Sequence, residues 1–125
     1  LFDALVIPGG RKNAENLSAD SSVREIILRH HKAGRIIAAI CAASALVLGE
    51  SCRILSGRQA TGDAGFNDRL KASGALLSDQ PVTVDGTLIT ATGAGTALRF
   101  ALVLGGALVG NSEAESLAKK WGIDF

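Results

Sequence analysis

The sequence predicts an α/β layered domain with a mainly parallel sheet and one antiparallel excursion. Apolar runs, Leu1 to Ile7 with Asp3 as its one polar residue and the wholly apolar Ile36 to Ile40, each lead through a turn toward stretches of helical character. Strands without polar alternation suit burial on both faces, which is the habit of parallel sheets. The remaining observation is Val82 to Thr90, β-branched sequence around Asp85-Gly86, a strong short-range hairpin signal.

The elements follow in order. Leu1 to Ile7 is a strand closed by Pro8, Gly9 and Gly10. Arg11 to Asp20 is polar and reads as loop with one helical turn. Ser21 or Ser22 caps a helix in which Val23, Ile26, Ile27 and His30 share a face, and Gly34 ends it. Ile36 to Ile40 is the second buried strand. At Cys41 the pattern changes to Ala42 to Leu48, rich in helix formers and closed by Gly49. Arg58 to Thr61 reads as a short strand and Phe66 to Ala72 as a helix ending at Gly74. The hairpin comprises Val82 to Val84, the Asp85-Gly86 turn and Thr87 to Thr90. Thr92 to Thr96 is a glycine-containing loop feeding an apolar helix, Ala97 to Val109, which Gly110 stops. Ser112 with Glu115 three residues on forms a capping box for a last helix reaching Trp121.

Composition narrows the function classes. The 125 residues suit one domain, with 47% apolar and 20% charged residues giving material for a real core. Thirteen basic and twelve acidic side chains leave a net charge of +1, without a like-charge run longer than Lys119-Lys120, so no nucleic-acid or membrane surface is expected. The two cysteines, Cys41 and Cys52, make neither a disulfide framework nor a zinc site. No metal or cofactor is expected, and a reduced cytoplasmic setting is the natural reading. The chain opens on Leu1 and enters a strand almost at once, without initiator Met or signal peptide, the start expected of a fragment.

Cys41 is the residue best placed for chemistry. Where a buried strand hands over to a helix, the sulfur lies at the carboxyl end of the sheet and beside a helix N-terminus. Open α/β sheets hold ligands at that edge, and the positive end of a helix favours thiolate. The competing reading is a small buried hydrophobe among Ala and Ile.

Four segments decide between those readings. Phe2-Asp3-Ala4-Leu5-Val6-Ile7-Pro8-Gly9-Gly10, Ile37-Ala38-Ala39-Ile40-Cys41-Ala42, Val84-Asp85-Gly86-Thr87-Leu88-Ile89-Thr90 and Gly93-Ala94-Gly95-Thr96-Ala97 resemble, in order, landmarks of the ThiJ/PfpI (DJ-one-like) superfamily. That resemblance implies a flavodoxin-like layered sandwich with helices on both faces of the sheet. It also implies that Cys41 is the elbow nucleophile and redox centre. An oxyanion hole is implied too, and the backbone N–H groups of Gly10 and Ala42 are its expected donors.

The departures from the family pattern matter as much. Roughly the first third of a typical member, with its thiol-bonded acidic residue, has no counterpart, leaving an expected gap at the sheet unless another chain fills it. A histidine common before the hairpin is replaced by Gly74-Ala75-Leu76-Leu77, while His30 and His31 fall on an early helix. Thr92-Gly93-Ala94-Gly95-Thr96 lacks the Arg and Pro common there, which argues against anion binding, and Ala42 is not the His of the peptidase-like branch. Asp63 and Asp79 are acids of unassigned position, and Cys52 is an incidental thiol or a resolving one. Two functions follow from the resemblance. One is a glyoxalase-like or deglycase-like enzyme acting on small aldehydes or glycated substrates. The other is an oxidative-stress redox sensor or chaperone with an oxidisable Cys41 and no turnover. Homodimers are the expected assembly.

Overall fold

A computed structural model describes residues 1–125. Its strands are β1 (Ala4–Ile7), β2 (Ile36–Ile40), β3 (Gln59–Ala60), β4 (Leu76–Leu77), β5 (Val82–Asp85) and β6 (Leu88–Ala91). Four of them form one sheet in the order β1-β2-β6-β5. Within it β1, β2 and β6 run parallel, and β5 joins β6 antiparallel through the predicted hairpin. Asp85 pairs with Leu88, so the turn residues are Gly86 and Thr87, one position later than the sequence suggests. The Asp85 carboxylate accepts the Gln59 N–H at 2.7 Å, tying the hairpin to β3. β3 and β4 form a separate two-stranded parallel pair, and β4 has no counterpart among the predicted elements.

Alternation along β2 separates two layers. Ile37 and Ala39 join Ile7, Ala14, Ile27, Leu48, Leu55 and Leu70 in the larger core, while Ala38 joins Ile89, Ala91 and Phe100 in the smaller one. Full burial of a side chain such as Leu48 stabilises by about 2 kcal/mol relative to exposure. The expectation of a doubly buried strand holds for β2 but not for β1. As the outermost strand it lacks a neighbour on one side, and its Val6 is 49% exposed.

The larger core is roofed by α1 (Arg11–Ala19), α2 (Ser21–Lys32), a π-helix at Ser44–Ser51 and α3 (Asn67–Ala72). α1 corrects the reading of Arg11 to Asp20 as loop. Its only apolar stripe is Ala14 and Leu17, too narrow to register as helical periodicity but enough to pack on the core. α2 is capped by Asp20, whose carboxylate accepts the Ser22 and Val23 N–H groups at 2.8 and 3.3 Å, and not by Ser21 or Ser22. On α2 the predicted face is narrower than expected, since Ile26 is 38% exposed while Ile27 and His30 are buried. His30 is structural: its Nδ1 bonds the Ile26 carbonyl at 2.7 Å and its Nε2 accepts the Phe2 N–H at 2.9 Å.

The π-helix is buried on every side from Ser44 to Gly49 and closes with the Cys52 N–H on the Val47 carbonyl, 2.8 Å away and five residues back. Gly49 does not end it. A Cβ there would stand 2.6 Å from Ser73 Oγ, so the glycine serves a close helix approach. The Ser44 hydroxyl is fully buried without a partner. An orphaned buried hydroxyl costs free energy, so Ser44→Ala is expected to raise stability by about 1 kcal/mol, read from the urea midpoint.

On the other face lie α4 (Ala97–Val109) and α5 (Asn111–Trp121). The predicted capping box does not form. Gly110, at φ 110°, reverses the chain so tightly that α5 begins at Asn111 with no side-chain cap, and Ser112 already lies inside the helix. No helix is long and apolar enough to cross a membrane.

Candidate active site

Three turns meet at the carboxyl edge of the parallel strands: Pro8-Gly9-Gly10 after β1, Cys41-Ala42 after β2, and the Thr92 to Thr96 loop after β6. Cys41 is held by its N–H on the Ala91 carbonyl at 3.0 Å. Its φ of +61° is left-handed, a conformation that costs a non-glycine residue on the order of 1–3 kcal/mol. The strain has a mechanical cause: only a sharp reversal lets the chain leave β2 and enter the next helix while the side chain stays at the sheet edge. The sulfur is half-buried.

Gly9 lies against this elbow. A Cβ on Gly9 would stand 2.7 Å from Cys41 Cβ and 3.0 Å from the Ile40 carbonyl oxygen. The close backbone approach to the elbow is made by Gly9. Gly10 contributes a left-handed φ of +87°, which turns the chain into α1. Neither the Gly10 nor the Ala42 N–H donates to a carbonyl of the chain, and both lie beside the elbow.

Asp63 joins this site. Its Oδ2 lies 3.8 Å from Cys41 Sγ, within reach of a thiol hydrogen bond, and its N–H donates to the Cys41 carbonyl at 3.3 Å. The other oxygen, Oδ1, accepts the Gly65 N–H at 3.0 Å, which sets the carboxylate's orientation. Gly62 permits the approach, because a Cβ there would meet the Cys41 carbonyl oxygen at 3.0 Å and Ser44 Cβ at 3.1 Å. The turn is clamped through Phe66, whose ring lies under Arg11 at 5.8 Å and Arg69 at 5.4 Å. Arg69 also makes two 2.6 Å bonds to Glu50 at the end of the π-helix. That guanidinium holds the Glu50 carboxyl below its ordinary range.

The Asp63-Ala64-Gly65 sequence does carry a local signal, an Asp whose side chain bonds the backbone two residues on. Nothing local pairs it with Cys41. Asp79 is exposed on the loop before β5 and bonds only Gln80, so it is not part of the site. The Thr96 hydroxyl is turned back on its own loop, with Gly93 N–H and carbonyl as partners at 3.2 and 2.9 Å.

Cys52 stands apart, at the opposite end of the π-helix and 6% exposed. Burial pushes its thiol up to about 11, with Arg24 opposing weakly. Its protonated form is favoured in the folded state, so this contribution to stability is intact below the ordinary thiol range and is lost as pH rises toward 11. Iodoacetamide at pH 8 is accordingly expected to label Cys41 and to leave Cys52 unmodified until guanidinium is added. Equal labelling of both thiols in the folded protein would contradict this.

The sequence profile of the DJ-1/PfpI family matches residues 1–105. The chain belongs to that family. It is 35% identical to protein DJ-1 homolog A of Arabidopsis thaliana over 94% of this chain and 30% of the relative. With protein dj-1beta of Drosophila melanogaster it shares 32% identity over 94% of this chain and 62% of the relative. The crystal structure of Drosophila melanogaster DJ-1beta superposes with a TM-score of 0.92, covering 100% of this chain and 66% of that one. An oxidized DJ-1 from Toxoplasma gondii does so at 0.91 with 29% identity, again over 100% of this chain and 66% of its own. The chain thus spans between about a third and two thirds of these relatives' lengths. The layered, flavodoxin-like α/β architecture expected of the family is the one found here.

Proposed function

We propose that the protein acts on small reactive carbonyl compounds through Cys41, in the manner of a glyoxalase or deglycase. The observation that carries this is the strained Cys41 elbow at the carboxyl edge, flanked by two N–H groups without acceptors in the chain. The Cys41 sulfur adds to an aldehyde carbon, the carbonyl π pair moves to oxygen, and the Gly10 and Ala42 N–H groups hold that oxyanion. A small aldehyde or glycated group is the matching substrate class, because the sulfur is half-buried and reached between tight turns. The test is methylglyoxal consumption by the wild-type chain with Cys41→Ser as control. Turnover that disappears in the variant supports the reading, and turnover that persists defeats it.

The second reading is a redox sensor, in which peroxide oxidises Cys41 to sulfinate and no turnover follows. It is favoured by the likeness to an oxidized DJ-1 and by the accessibility of Cys41 in contrast to the distant, buried Cys52. Two oxygens added at Cys41 by peroxide, with methylglyoxal untouched, would select it. Self-association belongs with either reading. The outer edge of β1 is unpaired, and Val6, Leu108 and Val109 beside it are 49%, 45% and 70% exposed along a groove of about 750 Å³.

A further inference from the structure

We infer that Asp63 accepts the thiol proton of Cys41 and is a catalytic residue of this site, supplied by the turn between β3 and α3. This rests on the reading of Cys41 as a carbonyl nucleophile. Three constraints aim the carboxylate: the Asp63 N–H on the Cys41 carbonyl, Oδ1 on the Gly65 N–H, and the clamped Phe66 ring that follows. Only Oδ2 remains, and it faces Sγ at 3.8 Å. Within residues 1–125 no other side chain hydrogen-bonds to that sulfur. Arg11 and Arg69, over the Phe66 ring, are engaged with Glu15 and Glu50 respectively.

The step balances without a further reagent. As the sulfur lone pair forms the S–C bond, the thiol proton passes to Asp63 Oδ2 and the carbonyl π pair moves to oxygen. The oxyanion, held by N–H donors, then takes that proton back from Asp63. This first step yields a hemithioacetal bound to Cys41, nothing is oxidised or reduced in it, and the carboxylate is regenerated for the steps that complete turnover.

Asp63→Asn keeps the shape and the Gly65 bond but removes the proton acceptor, and Cys52→Ala leaves Cys41 as the one thiol. In that background the infrared S–H band of Cys41 is expected to move to higher frequency on Asp63→Asn, as a carboxylate acceptor is replaced by a weaker amide. Methylglyoxal turnover is expected to fall by about 10²-fold or more, since general bases contribute roughly that much. Asp63→Glu should recover part of the rate. An unchanged urea midpoint in the Asn variant confirms that the fold persists, and stoichiometric iodoacetamide labelling of Cys41 that the thiol does. An S–H band that does not move, or an Asn variant with wild-type turnover, overturns the role of Asp63. Absent wild-type turnover defeats the carbonyl reading instead, and the S–H band then decides alone whether Asp63 is the acceptor.

Discussion

Gly9→Ala is expected to destabilise the protein by about 1–3 kcal/mol, the usual cost of overpacking, and to change the reactivity of Cys41. The added methyl would stand 2.7 Å from Cys41 Cβ and 3.0 Å from the Ile40 carbonyl oxygen. Neither neighbour is the far end of a flexible side chain. Relief therefore requires the backbone of one turn to retreat, and the Cys41 elbow already carries a left-handed φ with little tolerance for further displacement. Gly95→Ala is the control, because nothing lies within 4 Å of its added methyl and its φ is not left-handed. Urea unfolding and the rate of Cys41 alkylation read out both effects. Equal midpoints and equal rates for the two variants would show that the Gly9 contact is not tight in solution.

Cys41→Ser is expected to lower methylglyoxal turnover by at least ~10³-fold, equivalent to about 4 kcal/mol of lost transition-state stabilisation. A hydroxyl is a far weaker acid than a thiol, so a carboxylate at the position of Asp63 does not deprotonate it usefully. Folding should be little affected, since the strain at this position belongs to the backbone and is shared by both residues. Cys52→Ala provides the contrast. It removes a buried thiol distant from the elbow and should retain turnover. Parallel loss in both variants would point to a general effect on folding and not to nucleophilic chemistry at Cys41.

Much of this architecture was legible in local pattern. Continuous apolar runs at Ile36 to Ile40, the Asp85-Gly86 hairpin signal and the change of pattern at Cys41 are short-range features, decided by side-chain period and turn chemistry. They determined the parallel sheet, the antiparallel excursion and the thiol at a strand-to-helix junction. α1 carries no comparable signal because its packing stripe is only Ala14 and Leu17. The competition among Asp20, Ser21 and Ser22 for one cap, and of Gly110 with Ser112 at the start of α5, was settled by how sharply the chain had to reverse.

The composition of the site was decided by tertiary structure. Asp63 reaches Cys41 across 22 positions of sequence, and Gly9 meets it across a sheet pairing of β1 with β2. Contacts of this kind depend on strand order and on which small residues, here Gly9 and Gly62, let backbones approach within about 3 Å. By itself the sequence determined that a thiol would stand at the carboxyl edge of a parallel sheet. Packing alone decided which carboxylate would face it, because no local rule specifies a partner that only the assembled layers bring near.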